Sequence, residues 1–342
     1  MTDIGSDRVE RRRRATSVEV ARLAGVSQSA VSRCFTVGAS IAPDTREKVM
    51  TAARALGYRP NVLARGLVGS RTDLVGVVVG NLDTPFEAFL FDRLTDALAA
   101  IGKKPLVVRS DPAGDVARPL LAALDYQVDG VVVLAGGVTR ATVDSAKLLG
   151  VPLILYGFVT TADLVDCVCC DNAAGARLVA DALLASRYRR AAYVTGRSSA
   201  FSEGERRAAF LDRMARGGRP VVRVVEGDYS HAGGMRAGLA LLSAAARPDA
   251  VFCGNDATAF GVIDAARRRL GLRVPEDVAV IGFDDVPMAA WPGYDLTTVR
   301  NPVDAIVATV RDMLARRLAD AGEPYVVHRT TPTLVRRGSA AV

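Results

Sequence analysis

A chain of 342 residues is too long for one small module and, at roughly 100 to 200 residues per domain, predicts two or three domains. Half of its residues are hydrophobic and 24% are charged, the balance of a soluble chain that buries real cores, which excludes disorder as the main state. The net charge of +7 sits at the amino end: residues 1–71 hold 13 Lys or Arg against 6 Asp or Glu, and the remainder carries 31 of each sign. A cationic head on a neutral body is the pattern of a polyanion-binding module joined to a part that does other work.

No apolar run approaches the roughly 18 residues of a membrane span, and MTDIGSDRVERRRR has no apolar segment behind its charges. The expected location is therefore the cytoplasm, with no membrane partner. Five cysteines, three of them crowded as Cys167, Cys169 and Cys170, suit a reducing compartment. No second Cys/His pair follows that cluster, and His231 and His328 stand alone. Small residues in a buried strand are the reading, with no metal and no cofactor.

In chain order, residues 1–15 are polar around Arg11 to Arg14 and read as a disordered basic arm. Thr16 stands three residues before Glu19, a capping-box start, and the first helix places Val20, Leu23 and Ala24 on one face before Gly25 stops it. Ser27 caps a second helix through about Phe35, with Val31 inward and Gln28, Ser29, Ser32 and Arg33 outward. Pro43 opens a third, Asp44 to Leu56, which Gly57 ends. Two short helices across a Gly turn, closed by a third, make a helix-turn-helix over 16–59, whose second helix enters the DNA major groove. Arg33 suits bidentate bonding to guanine, and Gln28 and Ser29 suit other base edges. Thr16, Ser27 and Ser32 carry hydroxyls that can hold phosphates as well as cap helices.

The strings VARLAGVSQSAVSR and APDTREKVMTAARALGYRPNVLARGL resemble the DNA-binding head and hinge of the lactose/galactose repressor (LacI/GalR) family of bacterial transcription regulators. The resemblance continues from Thr16 to about Gly338. It implies that residues 60–71 form a hinge that becomes helical on the operator, pairs with a partner's copy and pushes Leu67 into the minor groove, with Asn61 as a further DNA contact. Gly66 stands where the family more usually has Ser or Gln, raising the cost of folding that helix. Ala42 replaces the usual Ser before Pro43, so that cap is lost.

The body, 72–342, alternates Val/Ile/Leu-rich runs with helical stretches. Runs at 74–80, 105–109, 130–137 and 151–157 make one series, and those at 191–196, 221–228, 249–256 and 278–285 a second. Such continuous runs indicate parallel sheets covered on both faces. The fold expected is an all-α head plus an α/β body of two Rossmann-like, periplasmic-binding-protein-like lobes. The first takes about 72–170 plus 302–322, and the second 171–299 plus 325–338.

A ligand of such sheets sits beyond the carboxyl ends of the strands, in the cleft between facing lobes. Asn81, Asp83 and Phe86 from the first lobe and Arg206, Tyr229, Asn255 and Asp284 from the second are the candidates. Asp and Asn suit a polyhydroxylated ligand, and Arg206 can grip a carboxylate or phosphate in its fork. The resemblance places Arg206, Asn255 and Asp284 at effector-binding positions. Gly157-Phe158 replaces an Asp-Arg pair common in relatives, implying a less polar edge, and Asn301 stands at a crossover where relatives often carry Gln.

The expectation is a homodimeric transcription regulator, a repressor, whose affinity for double-stranded operator DNA responds to a sugar or sugar-like effector. A transport binding protein would need an export signal and no basic head. An enzyme would need a nucleophile elbow, a phosphate loop or clustered general bases, and no such motif follows a strand here.

Overall fold

The computed structural model describes residues 15–35, 39–60, 71–80, 82–110, 116–134, 138–159 and 165–342. The basic arm up to residue 14, the hinge stretch 61–70 with Asn61, Gly66 and Leu67, and Asn81 lie outside the described residues. The chain divides into two compact units, Met1–Thr72 and Asp73–Val342.

In the first unit, helix formation is set by local capping. The Thr16 hydroxyl accepts from the Glu19 amide at 3.3 Å while the Glu19 carboxylate accepts from the Thr16 amide at 2.7 Å. α1 (Ser17–Ala24) then ends on Gly25, whose φ of 66° only glycine adopts without strain. Ser27 caps α2 (Gln28–Cys34) by accepting from the Ala30 amide, and α3 (Pro43–Ala55) starts at Pro43 with no side-chain cap from Ala42. Val20, Ala21, Val31, Cys34, Val49, Ala52 and Ala53 form the core of this unit. Leu23 corrects the expectation, for it is 57% exposed. The buried stripe centres between Val20 and Ala21, and at 3.6 residues per turn Leu23 lies roughly 100° off that line.

The second unit contains β1 (Leu74–Val79), α4 (Pro85–Ala100), β2 (Lys104–Arg109), α5 (Ala117–Leu124), β3 (Gly130–Val133), α6 (Arg140–Leu148), β4 (Leu153–Tyr156) and β5 (Asp166–Cys170). Next come α7 (Asn172–Ala185), β6 (Ala191–Thr195), α8 (Phe201–Arg216), β7 (Arg223–Glu226), α9 (His231–Leu242), β8 (Ala250–Cys253), α10 (Asp256–Asp264) and β9 (Ala279–Asp284). The chain closes with β10 (Thr297–Arg300), α11 (Val303–Ala319), β11 (Val327–Thr330) and β12 (Thr333–Val335). One sheet has the order β11-β5-β4-β3-β1-β2 and is parallel throughout. The other, β12-β10-β9-β8-β6-β7, is parallel except where β12 runs against β10.

Both faces of each sheet are covered, which is why the central strands are mostly apolar on both faces. α4 and α11 cover one face of the first sheet and α5 and α6 the other. The second sheet lies between α9 with α10 and α7 with α8. Cys167, Cys169 and Cys170 are buried in β5.

One boundary moves. The sequence assigns 325–338 to the second lobe, yet Val327–Thr330 pairs in register with Cys167–Cys170 of the first sheet. The buried Arg317–Asp166 ion pair fixes this return, because Arg317 also donates to the carbonyls of Ala321 and Pro324 while the Val326 amide donates to Asp166. The chain thus passes between lobes after β5, after β10 and between β11 and β12.

Candidate nucleic-acid interface and ligand cleft

α2 has two unlike faces. Ala30, Val31 and Cys34 are buried, while Ser27, Gln28, Ser29, Ser32 and Arg33 are exposed. The start of the helix is held together internally: the Ser27 and Ser29 hydroxyls lie 2.9 Å apart, and the Gln28 amide donates to Ser17 Oγ at 3.0 Å. Ser17 is a partner that the sequence reading did not single out. Arg46 donates to the Cys34 carbonyl at 3.2 Å and so fixes the far end of α2 on α3. Thr16 uses its hydroxyl within the capping box, donating to Glu19 at 2.9 Å. This face is therefore a rigid, exposed, hydroxyl-, amide- and guanidinium-bearing surface, the kind that reads a groove.

In the second unit the carboxyl ends of both sheets converge. Arg206 on α8 is 5% exposed, with its guanidinium 3.6 Å over the Phe283 ring. Its Nε donates to Asn172 Oδ1 at 2.9 Å, its Nη1 to the Gly254 carbonyl at 2.6 Å, and its Nη2 stands 3.7 Å from Asp284 Oδ1. The fork is thus divided among protein partners, and only the edge beside Asp284 can meet a ligand. Asp284 sits in a left-handed backbone at φ 121°, the end of β9. Burial pushes its carboxyl up to about 7, with Arg206 and Asn301 pulling the other way.

Tyr229, also left-handed at φ 67°, lies against Gly196 so closely that a Cβ there would stand 2.0 Å from its ring. Its hydroxyl donates to Glu203 at 3.3 Å, and burial pushes it up to about 12. Glu203 is itself buried and accepts from Tyr193 and from the Gly196 amide at 2.7 Å, with its carboxyl raised by burial. Asn255 caps α10 by accepting from the Thr258 amide at 3.0 Å and donates to the Tyr229 carbonyl at 3.1 Å. It shapes the pocket wall while both ends of its amide are engaged.

Among the described residues, the first lobe contributes mainly rings. Phe86 packs on the cores of both lobes and lies 6.3 Å from Tyr156. Phe158 meets Phe201 edge-on at 5.7 Å across the cleft, next to Gly157. Asn301, 3% exposed, donates to the Tyr156 hydroxyl at 3.3 Å and leaves its own Oδ1 buried without a partner. Asp83 differs from the rest of the set, being exposed on the turn before α4. Tyr156, Asn172 and Glu203 escaped the sequence reading. Tyr156 was legible as the polar end of the run LILY, and Glu203 as an acid one turn before Arg206 on the same helix face.

A sequence model of bacterial regulatory proteins of the lacI family matches residues 18–61, and one of a periplasmic binding protein-like domain matches residues 180–340. Catabolite control protein A of Priestia megaterium is 32% identical over 305 residues, covering 88% of this chain and 92% of that protein. The HTH-type transcriptional repressor PurR of Erwinia tasmaniensis is 30% identical over 333 residues, covering 96% and 97%. The crystal structure of the lac repressor dimer bound to operator and the anti-inducer ONPF matches with a TM-score of 0.83 at 24% identity, over 96% of this chain and 99% of that one. The transcriptional regulator CelR in its cellobiose complex matches with a TM-score of 0.71 at 28% identity, over 95% and 100%. Sharing head, lobes and sequence with such proteins along nearly its whole length, the chain belongs to the lacI family of bacterial regulatory proteins and is a DNA-binding transcription regulator.

Proposed function

We propose that this regulator acts in the cytoplasm as a homodimeric repressor, and that a sugar or sugar derivative between its lobes changes its affinity for a pseudo-palindromic operator. Base choice belongs to Gln28, Ser29 and Arg33. Thr16, Ser27 and Ser32 hold phosphates, and Asn61 and Leu67 act from the hinge. Phe86, Tyr229, Arg206, Asp284 and Asn301 receive the effector, Asn255 holds the loop of Tyr229, and Asn81 and Asp83 add polar contacts to the effector. The protein carries out no catalysis in this reading.

One observation carries the effector reading. Asn301 Oδ1 is a buried acceptor without a partner, beside Tyr156 of the other lobe. An orphaned acceptor costs about 1 to 3 kcal/mol, which a ligand hydroxyl relieves. Rings on one side and paired Asp and Asn on the other suit a polyol with one apolar face. A ligand touching both lobes favours one lobe arrangement, and couplings of about 1 to 3 kcal/mol to DNA binding are typical.

Gel-shift titration on the promoter beside its own gene, with cellobiose, glucose and ribose present in turn, tests the reading. A shift that a sugar strengthens or weakens supports it, and indifference to duplex DNA at low salt overturns it. Arg33→Ala should relax base choice by about 1 to 3 kcal/mol at one position. Leu67→Ala should weaken operator binding more than binding to random DNA. Equal losses on both DNAs would remove these role assignments.

A further inference from the structure

Arg206 is held from behind by a chain of hydrogen bonds that leaves its own lobe. Asn172 opens α7, immediately after the first crossover, and is 2% exposed. Its Oδ1 accepts from Arg206 Nε at 2.9 Å and its Nδ2 donates to Glu205 Oε2 at 3.1 Å. The orientation of this amide is forced, since a guanidinium only donates and a carboxylate only accepts. Glu205 is in turn gripped by the fork of Arg329, with Nη2 to Oε1 at 2.8 Å and Nη1 to Oε2 at 3.2 Å. Arg329 lies on β11, which pairs with β5 of the first sheet, whereas Asn172, Glu205 and Arg206 belong to helices of the second lobe.

We propose that Glu205 is a positioning residue that ties the seating of Arg206 to the angle between the lobes, through Arg329 on one side and Asn172 on the other. While the lobes hold the described arrangement, Arg329 fixes Glu205, Glu205 fixes the Asn172 amide, and Asn172 fixes the Nε edge of Arg206. A lobe movement that withdraws Arg329 frees the carboxylate to rotate, and Arg206 loses its rear partner. Linkage makes this reciprocal: whatever reseats Arg206 from the cleft side biases the Arg329–Glu205 pair and so the lobe angle. The regulatory meaning rests on Arg206 belonging to the effector site; the relay itself is tested without ligand.

The probe is the full-length protein labelled with ¹⁵N-arginine, in which the Arg206 Nε–H signal is identified by its loss in Arg206→Lys. Lobe separation is read between spin labels at Leu148→Cys and Ala245→Cys, both exposed, in chains diluted with unlabelled protein. The five native cysteines, all buried, stay unlabelled. In Arg329→Gln and Glu205→Gln, hydrogen exchange at Arg206 Nε should speed up about tenfold, the equivalent of about 1.4 kcal/mol, and the label distance should broaden. The charge-swapped double variant Glu205→Arg/Arg329→Glu separates relay from brace. It restores an ion pair across the lobes and hence the narrow distance, but offers Asn172 no acceptor, so fast Nε exchange should persist. If either single variant leaves Nε exchange unchanged, or the swap restores it, the relay is wrong and the pair is only a brace. If the relay holds but Arg206→Lys leaves sugar-induced melting shifts unaltered, the effector reading fails instead.

Discussion

Among the described residues, the first lobe presents rings to the cleft, Phe86, Tyr156 and Phe158, whereas the second presents Arg206, Tyr229, Asn255 and Asp284. Strand order is the same in both sheets. The difference lies in how the polar groups are held. In the second lobe each is fixed by others of its own lobe, so the polar half of the site is organised before any ligand arrives. The first lobe spends its buried charge at the opposite end of the sheet, where Lys103 bridges Asp73 and Asp129, and Asp166 binds Arg317. Phe86 and Phe158, which pack without directional bonds, can slide, and divided guanidinium and carboxylate groups cannot. The pair of lobes thus combines an adaptable wall with a rigid one.

The sharpest way to break this contrast is to disturb the first lobe at its own charged anchor. Asp166→Ala strands Arg317 in a buried site and should cost about 3 to 5 kcal/mol in urea unfolding, without touching the cleft. Next comes the packing of the second lobe, where α9 and α10 approach so closely that a Cβ on Gly234 would stand 2.1 Å from the Thr258 carbonyl oxygen. Gly234→Ala should lose about 3 kcal/mol. The corresponding change in the first lobe, Gly76→Ala, meets side chains alone, the Ala123 Cβ at 3.0 Å and the Val131 Cγ2 at 3.3 Å, and should lose about 1 kcal/mol by the same measurement. Equal costs would show that the second lobe is no more rigid than the first.

The last test is a slope with pH. Asp284 ionises near pH 3.8 unfolded and near 7 in the fold, so folding takes up a proton between those values. The stability associated with Asp284 is full below about pH 4 and declines as pH rises to about 7, by at most about 1.4 kcal/mol per pH unit. Asp284→Asn should abolish that component, so the variant gains on the parent with rising pH across this window and runs parallel to it above. Melting curves from pH 5 to 8 measure it, and parallel curves throughout would remove the buried-carboxyl argument.

The layered fold was legible because buried parallel strands must be apolar along most of their length, as in LVGVVV and the AVIGF of AVIGFD. VHRT and TLV carried no such signal: they are short edge strands, recognisable only through the register of Val327 on Cys167 and of Leu334 on Val299. Asp284 was visible as a polar residue at a strand end, and Arg206 through the family resemblance of GERRAAF. Asn172 was not, since it reaches Arg206 through helix packing, which places residues 34 positions apart in contact. The Leu23 expectation failed for a related reason, because one eight-residue helix does not reveal which flank of its stripe the other two helices cover.

Phe86 has a consequence for how the body melts. A single ring that is part of two apolar interiors makes each of them poorer when the other opens. Asp73–Val342 should therefore absorb heat in one calorimetric peak, the two halves failing together although either sheet alone has a complete set of covering helices.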